Sequence, residues 1–170
     1  MQWWDSYRAV YGAELRAAAR EFGDHGWPVV GSPAGLLLVT GTVLDVLEMP
    51  AETGKHACAS LRAAGLVVPV AATPADTWWF PVAAATVRQA DLGRDDVLAH
   101  TDGEVVLAPP SELPDGWVHW RVSPAQSGWE LPSAEVILSA AAHAPRARSC
   151  IAVPPGAQRP DVGMAVGMRS

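Results

Sequence analysis

At 170 residues, 49% hydrophobic and 18% charged, the chain has the material for one domain with a real core and lacks the composition of a disordered one. A net charge of −6, with Lys55 the single lysine and no basic run, argues against the broad basic face of a nucleic-acid binder. No apolar run reaches membrane-span length, no leader pattern opens the chain, and Cys58 and Cys150 lack a partner motif; a cytoplasmic protein with free thiols, no zinc site and no membrane contact is expected.

The pattern from 5 to 22 predicts an amphipathic helix, with Tyr7, Tyr11, Leu15, Ala18 and Phe22 on one face and Gly23 at its end. Val29 and Val30 begin a strand. Leu36 to Thr40 reads as a short apolar strand, and Val43 to Met49 as a second, containing Asp45 and Glu48. Glu52 to Ala64 reads as a helix ended by Gly65. Val67 to Thr73 is a strand interrupted by Pro69, so an edge or a bulge. Thr73-Pro74-Ala75-Asp76 is a turn, and Thr77 to Val82 an aromatic strand. Residues 84 to 96 predict a short helix and a polar loop, with a short strand at Val97 to Ala99. Glu104 to Leu107 is a strand stopped by Pro109-Pro110, which cannot donate to a ladder. Pro114-Asp115-Gly116 turns the chain into a strand from Trp117 to Arg121. Ser123 to Leu131 is a loop, and Ser133 caps a last helix to about Ala142. Residues 146 to 170 lack periodicity and are expected to be a disordered tail.

Gly103-Glu104-Val105-Val106-Leu107-Ala108-Pro109-Pro110-Ser111, followed by Asp115-Gly116 and then Trp120, resembles the Gly-Tyr-Val-Val-Ala-Pro-Pro-Ser segment of the bifunctional DNA primase/polymerase (prim-pol) N-terminal domain family. Gly26-Trp27-Pro28-Val29 resembles the opening of that domain, and Thr73-Pro74 with the aromatic strand after it is similar to a later part. The resemblance spans about residues 14 to 142. It implies an α/β (α+β) fold of the archaeo-eukaryotic primase type, a mixed sheet with packed helices, over residues 1–145. The family's long insertion after the first strand is missing, since Gly31 to Gly35 leads directly to Leu36.

A polymerase of this type holds two divalent cations with carboxylates. Hard Mg²⁺ or Mn²⁺ needs oxygen ligands close together, and on a strand acids at i and i+2 share a face. Asp45 and Glu48 are three apart and face opposite sides of a regular strand unless a bulge turns them together. If Pro50 matches the proline after the family's acid pair, the acid positions hold Leu47 and Met49. The family histidine falls near Trp78 or Trp79, and the third acid near Leu98, with Asp96, Asp102 or Glu104 as displaced substitutes. An active enzyme would therefore use Asp45, Glu48 and Asp102 with Mg²⁺ or Mn²⁺; otherwise no cofactor is expected. Trp78, Trp79, His100 and Ser111 are the candidate nucleotide or nucleic-acid contacts. With eight tryptophans in the chain, an outward Trp78 or Trp79, with Trp117 or Trp129, has a face to stack on a base, although core packing or a protein interface uses tryptophan equally well. Ser111 has no histidine and acid at triad spacing. The sequence thus points to a degenerate primase/polymerase-like domain in DNA replication with residual affinity for single-stranded DNA or nucleotide. The alternatives are a protein-interaction module on the same scaffold and an active small nucleotidyltransferase.

Overall fold

The computed structural model describes residues 12–88 and 92–145. Residues 5–11 of the expected opening helix and the whole of the expected tail, with Cys150, lie outside the described residues. The first helix, α1, is Ala13–Asp24. After it come β1 (Val29–Ser32), β2 (Gly35–Val39) and β3 (Leu44–Pro50). β3 runs without a loop into α2 (Ala51–Ala63), because Pro50 cannot extend the ladder yet suits a helix start. β4 (Val70–Ala72) and β5 (Thr77–Ala83) follow. Then come β6 (Leu98–His100), β7 (Val105–Leu107), β8 (Glu112–Leu113), β9 (Gly116–Trp117) and β10 (His119–Val122). A 3₁₀ turn at Pro124–Ser127 leads to the last helix, α3 (Ala134–Ala141).

The chain adopts the α+β class, and every strand pairing among the described residues is antiparallel. A five-stranded sheet has the order β10-β4-β5-β3-β6, and a three-stranded sheet the order β1-β2-β7. Alternation along β3 divides the core. Leu44 and Val46 face the three-stranded sheet and α1, joining Phe22, Trp27, Leu36, Leu38, Trp79 and Val106. Leu47 and Met49 face the other way and pack with α2 and α3 through Ala57, Leu61, Phe80 and Ile137. The five-stranded sheet is therefore covered on both faces.

Three expected elements differ. The 67–73 strand shrinks to β4, since Pro69 precludes a ladder donor there. The predicted helix within 84–96 is absent among the described residues, which form turns and irregular chain. The strand expected at Trp117–Arg121 is divided at Val118: Gly116–Trp117 pairs with β8, whereas β10 pairs with β4. Among the described residues no helix is long and apolar enough to cross a membrane.

Candidate functional site

β3 pairs with β5 in unbroken register from Leu44 opposite Ala83 to Pro50 opposite Thr77. No bulge turns Asp45 toward Glu48, so the two acids occupy opposite faces. Asp45 is 3% exposed, and both its oxygens are engaged by backbone. Oδ1 accepts from the Gly41 amide at 3.0 Å and Oδ2 from the Ala85 amide at 3.1 Å. This carboxylate clamps the turn before β3 to the one after β5. Leu47 and Met49, at the positions where the resemblance places metal-binding acids, are fully buried in the helix-side core.

Glu48 lies on the other face and belongs to a polar chain that spans three strands and the turns beside them. β6 pairs with β3 and sets His100 opposite Val46, beside Glu48. His100 Nε2 lies 2.7 Å from Glu48 Oε2, and Nδ1 lies 3.0 Å from Glu104 Oε2. The Thr77 hydroxyl donates to Glu48 Oε1 at 2.7 Å, and the Thr73 hydroxyl lies 2.8 Å from that of Thr77. The hydrogen bond to His100 holds the Glu48 carboxyl below its ordinary value, against burial, with Thr77 adding to the effect. Glu48 likewise raises His100, burial opposes the rise, and Glu104 supports it. An imidazolium donating from both nitrogens satisfies both carboxylates, which a neutral ring cannot do.

This arrangement does not fit the divalent cation that the resemblance implies. Glu48 and Glu104 sit at opposite nitrogens of one ring, and Asp45 faces away. Among the described residues no group of three or more His, Cys, Asp or Glu is placed to share a metal ion. Asp102 is exposed, with φ 54°, in the turn between β6 and β7, where the chain passes so close to Gly41 that a Cβ there would meet the Gly103 nitrogen at 2.9 Å. Asp96 serves Arg94, whose Nε and Nη2 donate to its two oxygens at 2.8 and 2.7 Å. A cleft of about 830 Å³ lies apart from the Glu48 chain, between α3 and the chain after β5. The Arg94 guanidinium in its wall is also bonded to the Ala141 and Ala144 carbonyls. Burial pushes the Cys58 thiol up to about 11, which leaves it a poor nucleophile.

Of the expected base-stacking rings, Trp78, Trp79 and Trp129 are committed elsewhere, and Trp117 is 52% exposed. Trp79 is 2% exposed and meets Trp120 edge-on at 5.3 Å. Trp78 is half-buried against α2, with the Arg121 guanidinium 5.4 Å from its ring. Neither ring points outward, because both faces of the sheet are covered. Trp129 stacks on His25 at 3.7 Å and packs on Phe22 and Trp27. Ser111 is fully buried, and its hydroxyl accepts from the Leu36 amide at 2.9 Å, tying β2 to the chain after β7. Of the named candidates, Glu48, His100 and the substitute acid Glu104 come together; Asp45, Asp96, Asp102, Trp78 and Ser111 do not join them, and Trp79, opposite Glu48 on β5, packs into the core. Sequence reasoning missed Thr77 as a partner of Glu48 and Thr73 as the partner of Thr77. The signal available was the pair of threonines flanking the Pro74 turn, short donors at a strand entry.

No protein-family model, curated protein or solved structure matches this chain.

Proposed function

We propose that this chain is a prim-pol-like domain that does not polymerise nucleotides and works as a protein-interaction module on that scaffold, in a DNA-replication setting. The observation that carries the first part is the regular register of β3. It puts Asp45 and Glu48 on opposite faces and leaves Leu47 and Met49, in the core, at the expected acid positions. Two-metal phosphoryl transfer needs carboxylates converging on shared ions. The second part is supported by charge and by the tryptophans. A net charge of −6 opposes a phosphate backbone, and of the rings expected to stack on bases Trp78, Trp79 and Trp129 are packed into the protein, while the exposed Trp117 stands beside the Glu112 carboxylate.

The test is primer extension on a DNA template with purified full chain, deoxynucleoside triphosphates and Mn²⁺ or Mg²⁺. No product above the protein-free control is expected. Templated incorporation that disappears in Asp45→Asn or Glu48→Gln would overturn the proposal. Melting with Mn²⁺ plus a nucleoside triphosphate is expected to leave Tm in place, since a ligand binding the native state at a hundred times its Kd adds about 2.7 kcal/mol.

A further inference from the structure

Six of the eight tryptophans fall within the described residues. Trp27, Trp79, Trp120 and Trp129 contact other aromatic rings, and Trp78 lies under Arg121. Trp117 makes none of these contacts and is 52% exposed. Leaving this ring in water forgoes the burial that its neighbours exploit.

The hairpin that presents it is fixed at its base. Ser111 is buried and bonded to the Leu36 amide, and the Val118 amide donates to the Ser111 carbonyl at 2.9 Å. Leu113 packs on the core between the two sheets, and Gly116 lies over Pro74. Alternation turns Leu113 and Val118 inward, and Glu112 and Trp117 outward. Glu112 and Trp117 are direct cross-strand partners. Because the Val118–Ser111 bond is next to them, they form a non-hydrogen-bonded pair, whose side chains approach most closely, with Cβ atoms about 4.5–5.5 Å apart. Among the described residues Glu112 has no ion-pair partner. An indole face beside an unpaired carboxylate attracts a cation twice, through the ring quadrupole and through charge. The same carboxylate repels a phosphate, which disfavours a nucleic acid at this ring.

We infer that the Glu112–Trp117 pair is a docking point for a cationic side chain, an arginine or lysine presented by a protein partner. The inference rests on the reading of the domain as an interaction module and names the chemistry of what it recognises. The rigid base keeps the ordering cost of the hairpin low.

The test uses the full chain with ¹⁵N-labelled indoles and three probes: a Gly/Ser heptapeptide carrying three arginines, the same peptide with glutamines, and oligo(dT). The Trp117 indole signal, assigned by its loss in Trp117→Phe, is expected to shift with the arginine peptide and not with the glutamine peptide. Trp117→Ala should weaken binding about tenfold, and Glu112→Gln about threefold. Both positions are exposed, so unchanged melting temperatures verify folding. An unmoved Trp117 signal, or unchanged affinity in Trp117→Ala, overturns the inference. A Trp117 shift with oligo(dT) alone overturns it in favour of a nucleic acid. Primer extension separates the two proposals: a chain that extends primers and binds the arginine peptide loses the first and keeps the second.

Discussion

His100 donates through both ring nitrogens, to Glu48 and Glu104, and only the charged ring can do so. Its value is raised above the ordinary 6.5 in the folded chain, chiefly by Glu48. The stability it contributes is therefore fully present below pH 6.5 and is lost as pH rises through the folded value. Glu48 runs the other way: its carboxyl lies below 4.5, so its contribution is present above that and is lost as pH falls through the folded value. Together they predict a stability plateau that declines on both sides. His100→Gln should remove the alkaline decline and lower the plateau by about 1 kcal/mol, a modest figure because the pair is partly exposed. Urea denaturation from pH 4 to pH 9 measures it; parallel curves for the two proteins would show that the bridge contributes nothing. None of this was legible in the sequence. His100 and Glu48 are 52 residues apart, and no local pattern announces that β6 pairs with β3. What the sequence did reveal was negative: the three-residue spacing of Asp45 and Glu48 already separated them on a regular strand, and the structure keeps that strand regular.

At the scale of the element, α2 carries a glycine in its interior, where alanine would be favoured by about 1 kcal/mol. Gly54 is kept by contact. A Cβ there would lie 2.9 Å from Trp78 Cβ and 3.0 Å from the indole. That is the stem of a side chain held by its strand, so it cannot swing aside. Gly54→Ala is predicted to destabilise the protein by about 1–3 kcal/mol, the overpacking cost exceeding the propensity gain. A midpoint shift in denaturant at constant slope would record it, and a stabilised variant would mean that α2 rides further from β5 than its packing requires. Helices and strands were read well where their period is long: α2 and α3 fall within two residues of expectation, as do β2 and β3. Periodicity could not show that both faces of the sheet are buried. Adjacent Trp78 and Trp79 promised one inward and one outward ring; α2 covers the face assigned to solvent. The expected 117–121 strand is divided at Val118, whose amide closes the hairpin on Ser111 before His119 enters the large sheet opposite Ala72, a tertiary choice with no residue signature.

At the scale of the molecule, two sheets and two layers of helix meet on one strand. β3 lies between β5 and β6, and its side chains feed both cores, so it sits at the centre of the fold. Asp45 adds a buried clamp across its start and Glu48 a polar chain toward its end. β6, on the rim, has three residues and one neighbour, and Leu98 stands 58% exposed on it. Opening free energies within a domain run from near zero at such rims to the global value at the centre. Native-state amide exchange should therefore find the slowest protons in β3 and β5, opening only with global unfolding. The β6 amides and the hairpin tip at Pro114–Gly116 should open through smaller fluctuations that denaturant barely affects. His100→Gln should accelerate β6 and β5 alike, by the factor of about five that ~1 kcal/mol sets, because the bridge from the rim strand to β3 and to Glu104 before β7 breaks both when the rim opens and when the whole protein unfolds. Acceleration of β5 without β6 would instead mean that the Glu48–His100–Glu104 chain survives the opening of the rim and is part of the cooperative centre. The polar site would then be structural cement between the two sheets, and the search for recognition chemistry would narrow to the exposed hairpin.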